Sequence, residues 1–391
     1  MLDLFPTRLS RATSIEDLRR IARRRLPRTI FEYADGGAYD ELTLGENRRA
    51  FMRRKLIPRV MIDVDRRSLA TTIAGQPAAL PLGIAPTGLA GLFHSDGEIC
   101  AARAAYRCGI PYCLSTMSIC SIEDVRQADV PFWFQLYVFR DRGFSQSLLD
   151  RARQAGCPVL MLTADLPIQG QRHRDVKNGL SVPPRLTAAT LIDTLLRPRW
   201  ACGILAGKRK SFGNLAGHVA AGRDMRTLAE WIAEQFDPRL NWSDLRWIRE
   251  RWSGKLVLKG IMSVEDAKLA VANGIDSLIV SNHGGRQLDG APAALDVLPE
   301  IVDAVGGSCE VLFDSGVRSG QDILKALALG AHACFIGRAF LYGLAAGGEE
   351  GVVKAVELLR NELDVTLGLV GLCNIDEISA KVLAAPLAGH K

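Results

Sequence analysis

The chain's most specific chemical segment is Ser281-Asn282-His283-Gly284-Gly285-Arg286-Gln287-Leu288-Asp289-Gly290. It places an imidazole three positions before a guanidinium, with a glycine pair between them. A lone histidine is more often structural than catalytic. Here the glycines let the backbone bend sharply, so that both side chains can face one point. An imidazole titrates near neutrality and can take a proton. An arginine fork grips a carboxylate through two parallel hydrogen bonds. A base beside a carboxylate anchor is what a hydroxy acid needs to be oriented and deprotonated. Asp165 is a candidate to hold the imidazole and to stabilise its protonated form.

These residues need elements to carry them, and the sequence offers a regular set. Apolar runs occur at 80–86, 111–115, 132–138, 159–164, 256–259, 277–281, 310–314 and 333–337. They lack polar alternation, as strands covered on both faces should. Helix punctuation lies between them. Ser263 is placed to cap a helix that stops near Gly274, and Ser121-Ile-Glu-Asp and Ser319-Gly-Gln-Asp repeat the start signal. Eight strand–helix alternations predict a (β/α)8 TIM barrel, with an open doubly wound sheet as the rival. No GxGxxG follows an early strand, which weakens the dinucleotide-binding alternative.

In a barrel the active site forms where strands end at the C-terminal face. Polar residues and glycines collect at those points. Strand one ends Pro86-Thr87-Gly88 and strand two in Ser115. Strand three carries Gln135 and Tyr137. Strand four offers Thr163 and Asp165, followed by Arg172. Strand five ends in Lys259, strand six in the His283 segment, strand seven in Asp314-Ser315-Gly316 and strand eight in Gly337-Arg338. Glycines late in a barrel suit a phosphate site, where Arg318 or Arg338 can add charge.

Two regions fall outside the alternation within what is otherwise a single barrel domain spanning 1–391. Residues 1–75 form a helical N-terminal extension, with Ser14-Ile-Glu-Asp opening one helix and Pro27 suited to the first turn of the next. Residues 175–250 form a long insertion after strand four, with little periodicity until 228–236, and therefore lie at the active-site mouth.

Composition narrows the class. The chain has 391 residues, 48% of them hydrophobic, and a net charge of +6. The charge is too diffuse to imply nucleic acid, and no nucleic-acid-binding motif accompanies it. No run of about eighteen apolar residues predicts a membrane span. The N-terminus has no apolar core ahead of a small-residue cleavage site, so it reads as part of the mature protein. The 9 cysteines have no CxxC pair, and Cys108, Cys113 and Cys120 fit no common zinc spacing. They are expected to be reduced and cytoplasmic, with no bound metal.

The His283 segment, Phe31-Glu-Tyr-Ala-Asp-Gly-Gly-Ala38, Trp133-Phe-Gln-Leu-Tyr-Val138 and Asp314-Ser-Gly-Val-Arg-Ser-Gly320 with Gly337-Arg338 occur in a familiar order. Together they resemble the FMN-dependent α-hydroxy acid dehydrogenase and oxidase family over about residues 15–370. The resemblance implies FMN as cofactor and His283 as base with Asp165 as its partner. It assigns Tyr33, Tyr137, Arg172 and Arg286 to the substrate. It assigns the backbone around Pro86, Thr87 and Gly88, together with Ser115, Gln135, Thr163 and Lys259, to the flavin ring and ribityl chain. Asp314, Gly316, Arg318, Gly337 and Arg338 fall to the ribityl and phosphate end. The long insertion and the glycine at position 88 are similar to the bacterial L-lactate and mandelate dehydrogenases. That implies L-lactate or a related acid as substrate, a quinone or other carrier as acceptor, and a homotetramer.

Other readings stay open at this point. Lys259 could be the Schiff-base lysine of an aldolase barrel, and a barrel of this kind can serve as an inactive scaffold. Between Lys177 and Arg223 stand eight Lys or Arg and one acid, Asp193, interleaved with apolar runs at 191–196 and 200–205. This stretch reads either as a solvated loop or lid, or as a peripheral contact with the inner face of the plasma membrane.

Overall fold

The computed structural model describes residues 9–179, 188–215 and 234–385. Eight parallel strands form the centre: β1 Leu82–Ile84, β2 Cys113–Ser115, β3 Trp133–Leu136, β4 Val159–Thr163, β5 Lys255–Ile261, β6 Ser277–Val280, β7 Glu310–Phe313 and β8 Ala333–Ile336. From β2 to β8 each strand pairs with its sequence neighbour, and β8 pairs with β1. A bridge from Ile84 to Tyr112 joins β1 to β2 and closes the barrel. All eight apolar runs read from the sequence coincide with a strand in whole or in part.

The inside is a packed core, as expected for this architecture. Trp133, Val159, Met161, Val257, Ile279, Leu312 and Phe335 fill it. Trp133 and Phe335 have ring centroids 5.6 Å apart. Below them a hairpin, Thr71–Ile73 paired with Gln76–Ala78, plugs the N-terminal end, where Glu310 accepts the Ala74 N–H.

Helices α1 Gly97–Cys108, α2 Ile122–Arg126, α3 Arg142–Gln154, α4 Trp242–Arg251, α5 Val264–Ala272, α6 Ala294–Val305, α7 Gly320–Ala328 and α8 Arg338–Leu369, which kinks at Gly347 and Gly348, follow the strands in turn. The capping signals account for several starts. Ser121 and Ser319 form capping boxes with Asp124 and Asp322, and Ser263 accepts the Asp266 N–H.

The N-terminal extension contains helices Ile15–Arg25, Arg28–Asp35 and Leu42–Arg53. Ser14 caps the first, whose Ile15, Leu18 and Ala22 are buried, and the helix packs on α8. Pro27 stands at the cap position of the second helix, one residue earlier than the sequence placed it.

The insertion between β4 and β5 holds short helices His173–Lys177, Ala188–Leu195 and Pro198–Ala206. The apolar runs around 191–196 and 200–205 therefore lie largely on helices, where a weakly periodic loop was expected. Most of the 228–236 run falls outside the described residues.

Candidate functional site

The C-terminal mouths of the strands surround a cavity of about 330 Å³. Its wall includes Tyr33, Pro86, Thr87, Gly88, Ser115, Tyr137, Arg172, Lys259, His283, Arg286, Asp314, Gly316, Arg318, Gly337 and Arg338. Gln135, Thr163 and Asp165 adjoin it. Gln135 pairs in register with Ser115, Thr163 pairs with Lys259, and Asp165 contacts His283. The polar strand ends thus come together in one place.

His283 is the centre of that arrangement. Its Nδ1 lies 3.0 Å from Asp165 Oδ1. An ionised carboxylate can only accept, so Nδ1 carries the hydrogen and Nε2 keeps a free lone pair. Burial pushes the imidazole pKa below its ordinary value of 6.5, outweighing the pull of Asp165, so the ring is neutral at pH 7. Burial alone would raise the Asp165 carboxyl, but His283 and Lys259 more than offset this and leave it below the usual range. A neutral imidazole with an ionised orienting partner is a competent general base.

Local backbone geometry makes that pairing possible. A β-bulge after Lys259 turns the chain at Gly260, whose φ is +109°. A Cβ there would lie 2.6 Å from Asp165 Cβ, so only glycine lets β5 and the Asp165 segment approach this closely.

Two arginines face the same space. Arg286 Nη1 donates to the carbonyls of Tyr33 at 2.6 Å and Gly36 at 3.1 Å, which fixes the plane of the fork. Its guanidinium stands over the Tyr33 ring, 5.1 Å from the centroid. Burial, with Arg172 adding repulsion, brings its pKa down to about 9, still a cation at neutral pH. Arg172 lies 3.7 Å from Asp175, a largely buried acid on the same short helix. Burial raises the Asp175 pKa. Asp175 offsets part of the charge of the two arginines, and the remaining positive charge in a desolvated pocket suits the pair to holding a carboxylate. The Tyr137 hydroxyl adjoins them, and burial keeps it protonated as a donor.

Lys259 is buried within β5, just before the bulge near its C-terminal end. It donates to Ser281 Oγ at 2.8 Å and pairs with Asp314 at 3.1 Å. Desolvation favours the neutral amine, yet Asp314 and Asp165 more than offset it and hold the pKa above the ordinary lysine value. A Schiff-base lysine must be a neutral amine, so this geometry argues against the aldolase reading.

The remaining wall fits a flavin mononucleotide. Thr87 Oγ1, Gln135 Nε2 and Thr163 Oγ1 are buried without a hydrogen-bond partner among the described residues. Buried orphans of this kind are costly and mark a place where a polar ligand belongs. The nitrogen- and oxygen-rich edge of an isoalloxazine could satisfy them, with the Lys259 cation beside it. At the far end of the cavity Gly316, Arg318, Gly337 and the start of α8 meet, a helix N-terminus suited to a phosphate. The Arg338 guanidinium itself is committed to the carbonyls of Ala34, Gly36 and Gly284 at 2.8–2.9 Å. What α8 can offer an anion is therefore its backbone N–H groups and charge at short range. Burial, with Arg318 adding repulsion, brings the Arg338 pKa down to about 10.

Sequence reasoning missed part of the wall. Gln169, Asp175, Phe212 and Phe236 also line the cavity. Asp175 carried a readable signal, an acid three residues after Arg172. Phe212 and Phe236 come from within the insertion and had none.

Comparison with known proteins agrees with this geometry. The FMN-dependent dehydrogenase family model matches residues 22–385. An L-lactate dehydrogenase of Caulobacter vibrioides is 46% identical over 381 residues, covering 96% of this chain and 99% of that one. A putative L-lactate dehydrogenase of Mycobacterium tuberculosis is 45% identical over 382 residues, covering 97% and 91%. The crystal structure of a monotopic membrane protein, (S)-mandelate dehydrogenase, superposes with a TM-score of 0.91 at 40% identity, covering 96% of this chain and 99% of that one. A soluble mutant of the membrane-associated (S)-mandelate dehydrogenase from Pseudomonas putida gives 0.80 at 40% identity, covering 95% and 99%. With a barrel whose mouth carries a buried imidazole, two arginines bordering one cavity and unpaired groups suited to a flavin, the chain belongs to the FMN-dependent dehydrogenase family.

Proposed function

We propose that the protein oxidises an L-2-hydroxy acid, L-lactate in the first instance, to the 2-keto acid. The observation that carries this reading is the neutral His283 held by Asp165, facing the space also bordered by Arg286 and Arg172. The arginine forks bind the substrate carboxylate, and Tyr137 and Tyr33 donate to its polar groups. This places the substrate's reacting carbon and hydroxyl by His283 Nε2. His283 accepts one proton there, and the imidazolium that results is stabilised by Asp165. FMN, when bound, would supply the acceptor for the two electrons and the second hydrogen. Thr87, Gln135, Thr163 and Lys259 hold its ring, while Ser115 and Asp314 serve the ring and ribityl contacts. Gly316, Arg318, Gly337 and the α8 N-terminus hold its phosphate.

L-lactate is preferred because the curated relatives at 45–46% identity carry that activity in their names. Mandelate is the second reading. It is favoured by the apolar side of the cavity, where Met117, Phe212 and Phe236 could take a phenyl group. A dye-linked screen of purified protein against lactate, glycolate and mandelate enantiomers tests both. Turnover of an L-2-hydroxy acid supports the assignment. A colourless protein inactive on all of them, even after incubation with FMN, refutes it.

Electron transfer to a membrane quinone is part of the proposal. Among the described residues no helix is long and apolar enough to cross a membrane. The insertion nevertheless exposes Leu191, Ile192, Leu195, Leu196 and Leu205 beside Arg197, Arg199, Lys208 and Lys210. Apolar side chains flanked by bases suit the interface of an anionic bilayer. A homotetramer, expected from the family resemblance, is tested by light scattering of the eluted protein.

A further inference from the structure

The base stands in an unusual turn. His283, Gly284 and Gly285 have φ values of +57°, +66° and +72°, three successive residues in the left-handed region. A residue with a Cβ rarely adopts this conformation unless its surroundings impose it. Asp165 fixes the imidazole at its tip, but the direction in which the side chain leaves the backbone depends on what holds the turn.

Part of that hold comes from the barrel. Ser281 Oγ accepts the His283 N–H at 3.1 Å, and Ser315 Oγ accepts the Gly284 N–H at 3.0 Å. The rest comes from the N-terminal extension. The Gly285 N–H is shared between the Asn282 main-chain carbonyl at 3.0 Å and Asn282 Oδ1 at 3.1 Å, so backbone and side chain together close the turn across His283. Asn282 Oδ1 also accepts Asn47 Nδ2 at 2.9 Å, while Asn282 Nδ2 donates to Asn47 Oδ1 at 2.9 Å and to the Pro292 carbonyl at 3.0 Å. Asn47 Oδ1 also accepts the Ala294 N–H, at 3.2 Å, at the start of α6. Asn47 is 1% exposed and Asn282 7%. The two amides form a buried reciprocal pair in which each oxygen has two donors.

We infer that Asn47 is a positioning residue for the base: its amide, paired with Asn282, holds the left-handed turn that aims His283 into the cavity. The inference rests on the proposed role of His283. Asn47 does not border the cavity and reaches the turn through Asn282. Its helix reinforces the same turn, because a Cβ at Gly285 would lie 2.6 Å from the Leu44 nitrogen. Without the Asn47 amide, the Asn282 carbonyl keeps only the Gly285 N–H and its amino group only Pro292. The turn can then rotate to satisfy them, and the imidazole swings with it.

The test compares FMN-loaded wild type with Asn47→Leu, Asn47→Asp, His283→Gln and Thr366→Val. Thr366 is buried in α8, away from the site, and serves as a stability control. Three readouts are taken: the rate of anaerobic flavin reduction per bound flavin, the Kd for the keto acid from flavin spectral perturbation, and the melting temperature. Asn47→Leu should slow reduction by about 10- to 100-fold, the loss expected when a catalytic group is misplaced by up to about an ångström. Keto acid affinity should stay within about 2-fold, because the arginines are untouched. Asn47→Asp keeps the acceptor atoms and loses the donor, so it should fall between Asn47→Leu and wild type. Thr366→Val should lower only the melting temperature.

A wild-type reduction rate in Asn47→Leu overturns the inference, as does a loss of keto acid affinity equal to the loss of rate. If Asn47→Leu fails to load FMN, Asn47→Asp decides, and a wild-type rate in it overturns the inference. Slow reduction in His283→Gln beside a normal Asn47 series refutes the positioning role alone. A normal rate in His283→Gln refutes the base assignment from which it follows.

Discussion

Replacing Asp165 by asparagine removes one charge at a defined distance from the base. The carboxylate lies 3.0 Å from His283 Nδ1 in a largely buried setting. When the imidazole takes up its proton, it becomes a cation whose charge centre is about 4 Å from the carboxylate. At the effective dielectric of about 20 that suits protein sites, this pair is worth about 4 kcal/mol. Losing it from the transition state slows proton transfer by about 10³-fold. A second effect acts in the same direction. The asparagine amide can donate to Nδ1, which moves the ring hydrogen to Nε2, the atom that must accept. The Asp165 main-chain carbonyl still accepts Gln287 Nε2, so the local fold should survive. The assay is stopped-flow flavin bleaching by saturating L-lactate without oxygen, with FMN content measured in parallel. A fall of about 10³-fold at normal FMN content is expected. Reduction within about 5-fold of wild type would refute the electrostatic account of the pair, since that corresponds to only about 1 kcal/mol.

Other consequences can be measured separately. Arg286→Lys and Arg172→Met should each raise the Kd for the 2-keto acid by about 10- to 100-fold, because a point charge or an apolar chain cannot reproduce a two-pronged contact; unchanged titrations in both variants would dismiss the anchors. The folded His283 pKa lies below 6.5, so the neutral base predominates at pH 7 and the reduction rate should be flat above neutrality. It should fall as pH drops through the depressed value and the ring takes up a proton, and an acid limb centred above pH 7.5 would contradict the assignment. Serine at Leu191, Ile192, Leu195 and Leu196 together should abolish binding to anionic vesicles and quinone turnover while a soluble dye still accepts electrons. Wild-type quinone activity in that variant would exclude the membrane role.

The barrel was legible because parallel strands covered on both faces leave unbroken apolar runs, such as Val159–Thr163, that no loop or surface helix imitates. The clustering of strand-end residues was legible for a related reason: residues such as Lys259 and Asp314 close those runs, and barrel geometry brings their ends to one rim. Less visible was whatever depends on approach across the fold. Asn47 reads as an ordinary polar residue in a helix, because its partner Asn282 is 235 positions away. The commitment of Arg338 to the carbonyls of Ala34, Gly36 and Gly284 was equally hidden, since sequence gives a guanidinium's position in the chain but not which acceptors surround it. The insertion helices carry apolar residues on surfaces exposed to solvent, so the rule that apolar positions mark a core-facing stripe gave no guide there.

The central claim is that His283 takes a proton from an L-2-hydroxy acid bound between Arg286 and Arg172 beside FMN. It is tested most directly by mixing the FMN-loaded protein with L-lactate in the absence of oxygen and following flavin absorbance and pyruvate together. The account predicts complete bleaching with one pyruvate formed per flavin, no bleaching with D-lactate, and bleaching slowed by about 10²- to 10⁴-fold in His283→Gln. A flavin that stays oxidised with every L-2-hydroxy acid tried, or one bleached as fast without His283 as with it, would contradict it.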